Sequence, residues 1–220
     1  ITVYVTILTV FTDGGLTAAL VRKNARPDED MATVFWFHLM TCWLVYLIVF
    51  IGAPFIANFY DQPILKPVAR TITLGLLIAP FTNMQNVVLE TNLNFKSPTI
   101  IGCTTNILAG VGAIMVAYFG QGKWTIVFPK LALQFLSGFA KIVVVRWYPK
   151  TRFSKESFKN LFSFSSRILA TKLIDKVFNN IAPFIIGKYY SPADLAYYNR
   201  GITFAHLPSN IFINTVSSVN

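Results

Sequence analysis

Residues 31–60 read MATVFWFHLMTCWLVYLIVFIGAPFIANFY, with no Asp, Glu, Lys or Arg anywhere among them. A helix rising about 1.5 Å per residue crosses a ~30 Å hydrocarbon core in about 20 residues, so this stretch is long enough to span a membrane. It predicts a helix over about 31–53. Ala53-Pro54 then predicts a re-entrant or interfacial segment over about 53–67. Proline lacks the N–H that continues a helix, and Phe55, Phe59 and Tyr60 suit the headgroup level. The composition agrees: the 220 residues are 54 % apolar and only 13 % charged, with a mean hydropathy of +0.55. Soluble domains carry about 25 % charged residues. The apolar content excludes disorder, and two cysteines exclude a disulfide scaffold. The apolar runs are continuous rather than alternating, which points to an all-α, polytopic transmembrane bundle instead of a barrel.

Other charge-free runs place further helices. Thr71–Leu89 predicts one over about 68–88, kinked at Pro80. Ser97–Gly122 predicts one over about 99–119, with Gly102, Gly110 and Gly112 allowing close helix contact. Trp124 opens another over about 124–146, which carries Lys130 and Lys141. A more polar helix is expected over about 161–187. Helices over about 1–20 and 200–220 read as cut at both ends, so the chain is expected to be a fragment of a longer, transporter-sized protein with about seven to eight helices here. The net charge of +10 is scattered between apolar runs and forms no stripe, which argues against nucleic acid as a partner. Arg22, Lys23, Arg26, Lys96, Arg146, Lys150, Arg152, Lys155 and Lys159 fall on one side of the predicted topology. Only Lys66, Lys123 and Lys188 fall on the other. The positive-inside rule then makes loops 21–30, 89–98 and 147–160 cytoplasmic.

Few residues suggest covalent chemistry. Asp28-Glu29-Asp30 has the form of a metal-binding DxD, but acids before a membrane helix suit a helix start better. Cys42, Cys103, His38 and His206 lack metal-ligand spacing and read as packing residues. No metal, cofactor or catalytic residue is expected. The informative segment is LFSFSSRILATKLIDKVFNNIAPFIIG, residues 161–187. Lys172 lies about 16 Å along this helix, near the bilayer midplane, where a charge costs on the order of 3 kcal/mol. Residues 172, 175, 176, 179, 180 and 183 follow i, i+3, i+4, i+7 spacing and share a face. Such a face lines a water-filled cavity, forms an internal ion pair such as Lys172–Asp175, or lies on a surface helix. A cationic cavity suits an anionic cargo. The candidate binding residues are Arg167, Lys172, Lys176, Asn179, Asn180 and Lys130, with Asp175 a candidate for ion coupling. Asn83 and Gln85 are further candidates for bonding sugar hydroxyls.

The run FTDGGLTAALVRKNARPDEDMATVFWFHL resembles a segment of bacterial polysaccharide exporters, aromatic-x-D-x-G-L-x-x-A-L-[IV]-[RK] before an acidic loop and an F-W pair. Here these are Phe11, Asp13, Gly15, Leu16, Ala19, Leu20, Val21, Arg22 and Phe35-Trp36. APFIANFYDQPIL, LETNLNFK, GQGKWTIV and IIGKYYSPADLAYYNRG are similar to later signatures, in order and in register, with Ala196 where a glycine is usual. The chain thus resembles the polysaccharide transporter branch, of the colanic-acid and teichuronic-acid exporter type, of the multidrug/oligosaccharidyl-lipid/polysaccharide flippase superfamily. That resemblance implies a MATE-like fold of two six-helix lobes around a central cavity. Residues 1–146 would be most of the N-terminal lobe, 147–160 a basic inter-lobe loop, and 161–220 the start of the second lobe. It implies alternating access in the bacterial inner membrane. The implied cargo is a polyprenyl-diphosphate-linked oligosaccharide, and the implied partners are membrane lipid and polysaccharide polymerase or assembly proteins. A cation-coupled drug antiporter would favour cavity acids, which are scarce here. A membrane polysaccharide polymerase or ligase would call for a larger external loop than residues 53–67.

Overall fold

The computed structural model describes residues 10, 12, 15–22, 27–94, 96–120 and 124–217. Among them the chain is all-α, with no strand. Helix α1 is Leu16–Arg22, α2 Asp28–Phe59, α3 Leu65–Thr73, α4 Ala79–Thr91, α5 Lys96–Tyr118, α6 Trp124–Val145, α7 Lys155–Tyr189 and α8 Pro192–Ser217. A 3-10 turn, Leu74–Leu77, joins α3 to α4. The chain forms two compact units, residues 1–174 and 175–220. Most of the helix expected over 1–20, with Phe11 and Asp13 of the exporter-like motif, lies outside the described residues.

Helix α2 starts where the acids are. Asp28, Glu29 and Asp30 occupy its first turn, where the positive end of the helix dipole stabilises carboxylates. Asp28 also pairs with Lys150 at 3.6 Å, so the helix-start reading of this triplet holds. Further along, His38, Cys42, Val45, Val49, Ala53 and Ala57 are buried at three- and four-residue spacing. The opposite side exposes Met40, Trp43, Leu44, Leu47, Ile48, Ile51 and Phe55. A helix that is apolar outside as well as inside is one solvated by lipid.

The expectation of a break at Pro54 is corrected: α2 runs through it to Phe59. Pro54 supplies no N–H for the carbonyl four residues back, that of Phe50. The structure fills this vacancy from another helix. Arg70 Nε donates to Phe50 O at 3.2 Å, and its guanidinium lies 4.1 Å from the Phe50 ring centroid. Small residues let α3 come close enough, since Ala53 and Ala69 are both fully buried in the shared cluster with Val45, Val49 and Leu76. Arg70 is therefore expected to matter only while Pro54 is present. Arg70→Leu should cost about 1–2 kcal/mol of thermal stability in detergent, the penalty of an orphaned carbonyl. In a Pro54→Ala background the same change should cost much less, and equal costs in the two backgrounds would refute the coupling.

The kink expected at Pro80 is a true break. The segments Leu65–Leu77 and Ala79–Thr91 meet at 41° and pass as one apolar span only together. Pro80 sits in the first turn of α4, where its missing N–H has no intrahelical partner to lose. Gly75, in the 3-10 turn, is buried against Gln134 of α6; a Cβ there would collide with the Gln134 amide. Helices α5 and α6 form the most extensive helix pair in the first unit. Of the three glycines expected to bring α5 close to a neighbour, only Gly112 does so, beneath Phe128; Gly102 and Gly110 face open space.

Helices α2, α5 and residues 127–145 of α6 are each long and apolar enough to cross a membrane, and the α3–α4 pair makes a fourth if counted as one span. Helices α7 and α8 do not reach that apolarity. Both begin earlier than expected. Residues 155–160 belong to α7, so Lys155 and Lys159 ride on a helix rather than in a loop. Helix α8 starts at Pro192, leaving only Tyr190 and Ser191 between the two. Cys42 is buried, as a packing residue should be, whereas Cys103 is exposed on α5. His38 is buried; the His206 side chain is outside the described set.

Candidate functional site

The α7 helix, 35 residues from Lys155 to Tyr189, is about 52 Å long. Glu156 in its first turn and Lys188 in its last both complement the dipole. In the first unit its inner face is defined by burial. Leu161 and Ser165 are buried. The Ser165 backbone and Ile168 side chain crowd Gly15 so closely that a Cβ on that glycine would sit 2.9 Å from Ser165 O and 3.2 Å from Ile168 Cβ. Phe37, Phe153 and Phe162 surround Phe158, with centroid separations of 5.1, 5.6 and 5.3 Å.

At about 100° per residue, Lys172 falls within about 20° of both Leu161 and Ser165 around the helix axis. It therefore continues the side of α7 that packs inward two and three turns earlier, although at Lys172 itself that side is exposed. Arg167 does not. Five residues before Lys172, it lies roughly 140° round the helix, and it too is exposed. Arg167, a candidate cation of the same helix, thus lies off the face that carries Lys172.

In the second unit, Asp175, Lys176 and Asn179 are exposed and Asn180 is half-buried, on one side of α7. Asn180 Nδ2 donates to Lys176 O at 2.7 Å. Pro183 lies inside the helix and offers no N–H to the Asn179 carbonyl. A main-chain acceptor is thereby released beside the Asn179 and Asn180 amides. At the end of α7 the sequence SPAD forms a capping box. Ser191 N and Oγ donate to Asp194 Oδ2 at 3.1 and 2.7 Å, and Asp194 N donates to Ser191 Oγ at 3.2 Å. Pro192 at the first helical position completes it, which gives a physical reason for that signature.

Two other candidates change. Lys130 is exposed on α6, on the same side as Gln134 and Lys141, and α6 shares no extensive packing with α7. Gln85 is withdrawn as a sugar-binding group. It is buried, its Nε2 donates to Trp147 O at 2.9 Å and its Oε1 accepts from Trp147 N at 3.4 Å. One cation that sequence reasoning placed only in a loop belongs here. The Arg22 guanidinium lies 5.4 Å from the Phe164 ring centroid and lines a cavity of about 260 Å³ with Asn160 and Leu161. Its signal was the motif ending A-L-V-R, which carries it onto α1 beside α7. Among the described residues no group of His, Cys, Asp and Glu is placed to hold a metal ion.

Comparison with known proteins follows the same lines. The sequence profile of a family described as "Polysaccharide biosynthesis protein" matches residues 1–220. The chain is 27 % identical over 199 residues to the teichuronic acid biosynthesis protein TuaB of Bacillus subtilis, covering 89 % of this chain and 41 % of that protein. It is 23 % identical over 209 residues to the succinoglycan biosynthesis transport protein ExoT of Rhizobium meliloti, covering 93 % and 42 %. To the lipopolysaccharide biosynthesis protein WzxC of Escherichia coli it is 18 % identical over 213 residues, covering 94 % and 42 %. The chain thus spans about two-fifths of the length of these curated relatives. No solved structure matches it significantly.

Proposed function

This chain belongs to the polysaccharide biosynthesis protein family, and from that premise we propose that it is part of a bacterial inner-membrane flippase for polyprenyl-diphosphate-linked oligosaccharides. The observation that carries the reading is helix α7. It is too polar to face lipid along its length, yet it belongs to a multi-pass membrane protein. A helix of that kind belongs beside water or cargo. Lys172 and Lys176, four residues apart, bind the diphosphate by charge-assisted hydrogen bonds. The Asn179 and Asn180 amides and the Asn179 carbonyl freed by Pro183 bond the first sugars. Asp175, one turn from Lys172, is the candidate for coupling to an ion. Arg167 and Lys130 stand apart from this face. The relatives' names support a polysaccharide unit as cargo. The protein alternates between inward- and outward-open states that bind cargo differently, since equal affinity in both would move nothing. The chain is a transport component rather than an enzyme. The segments 21–30, 89–98 and 147–160 face the cytoplasm, with residues 1–146 and 161–220 in successive lobes.

The test is export of the polysaccharide by the full-length protein at matched membrane abundance. Lys172→Ala with Lys176→Ala should lower export about tenfold or more, the worth of one to two charge-assisted bonds. Arg167→Ala should lower it far less, because that side chain points elsewhere. Undiminished export in the double variant, or equal losses in both, would overturn the lysine site.

A further inference from the structure

The linker between α6 and α7 does not hang free. Thr151 Oγ1 donates to Asp28 O at 3.2 Å, Ser154 N donates to Thr33 Oγ1 at 3.1 Å, and Trp36 Nε1 donates to Thr151 O at 3.2 Å. With the Lys150–Asp28 ion pair at 3.6 Å, these bonds lay residues 150–154 along the first turns of α2. Between linker and helix they leave a groove of about 580 Å³ lined by Trp36, Phe37, Met40, Phe153, Phe158 and Arg152. Five walls are apolar, and the sixth is Arg152, an exposed residue that lines the groove with the aliphatic part of its side chain.

We propose that this groove binds a membrane phospholipid with an anionic headgroup, its acyl chain against the aromatic and Met40 walls and its phosphate on Arg152. Three observations favour that occupant. The first is depth: Trp36 lies about 12 Å along α2 from Asp28, so the groove spans the boundary between headgroup and hydrocarbon. The second is charge. Lys150 is paired with Asp28, whereas Arg152 lines the groove and, among the described residues, no carboxylate does. Glu29 and Glu156 are exposed and outside it. The third is preformation. The linker's bonds and the Phe37–Phe158 and Phe153–Phe158 contacts hold the walls in place, so a chain can enter without ordering them first. The cargo plays no part in this argument, so it stands or falls separately from the flippase reading.

Native mass spectrometry of the full-length protein, purified with equal phosphatidylglycerol and phosphatidylcholine, tests it. The wild type should retain phosphatidylglycerol preferentially. Arg152→Gln should reduce that preference about fivefold, the worth of one basic contact at an anionic surface. Met40→Trp should fill the groove and lower retention of both lipids. Arg146→Gln, outside the groove, should change neither. Retention and preference unchanged in both Arg152→Gln and Met40→Trp would overturn the proposal and show the groove covered by the protein itself. Lower retention in Met40→Trp with preference unchanged in Arg152→Gln would overturn the headgroup assignment.

Discussion

Gly15→Val should remove most of the folded protein from the membrane. Gly15 has φ +73°, a left-handed conformation that costs an ordinary residue about 1–2 kcal/mol and a β-branched one more. Its missing Cβ is also the space into which α7 packs, with the Ser165 carbonyl 2.9 Å and Ile168 Cβ 3.2 Å from where that atom would stand. The oxygen belongs to a helix backbone and cannot rotate away. Overpacking of this kind adds about 1–3 kcal/mol, so roughly 2–5 kcal/mol is lost in all. Membrane abundance and thermal unfolding in detergent are the readouts. Gly15→Ala should fall between wild type and Val. Ile168→Ala should rescue Gly15→Val only in part, because neither the backbone angle nor the Ser165 contact is relieved. Full rescue would mean that side-chain crowding alone constrains the site.

Gln85→Leu should cost nearly as much, for a different reason. Helix α6 ends at Val145, and Arg146 takes φ +55°, which turns the chain so that the Trp147 peptide faces α4. Gln85 then bonds both the N–H and the carbonyl of Trp147. The Trp147 ring packs on Phe35, with centroids 6.1 Å apart. Leucine keeps the volume and abandons two main-chain groups at once, a loss of roughly 2–4 kcal/mol. Gln85→Glu keeps an acceptor for the N–H and loses the donor, so it should be milder than Leu. If Leu and Glu were equally damaging, packing rather than bonding would be the reason.

Much of this architecture is written locally and so could be read locally. Charge-free runs located α2, the α3–α4 pair and α5, because lipid forbids unpaired charge over that length; α6, which carries Lys130 and Lys141, was marked by Trp124 instead. The acidic triplet marked the start of α2, because dipole and carboxylate meet within one turn. The helix that carries the lysines and asparagines, α7, was legible from its sequence as well. What stayed hidden depends on partners distant in sequence. Pro54 looked like a terminator because the donor that replaces its N–H sits on another helix, at Arg70. Gln85 looked like a free amide because its partner is 62 residues away. Arg167 is a candidate as a cation of the same helix, but its five-residue spacing from Lys172 puts it on another side. The early start of α8 was legible in principle, since Ser191-Pro192-Ala193-Asp194 is a capping box; predicting the helix from its apolar stretch passed over it.

The proline in α2 also imposes a history. A chain with an ordinary residue at position 54 could acquire Arg70 at little penalty, and only afterwards would a proline there be tolerated. The reverse path runs through an ancestor with a stranded main-chain oxygen inside the lipid. Lineages that lose the pair should therefore shed the proline first.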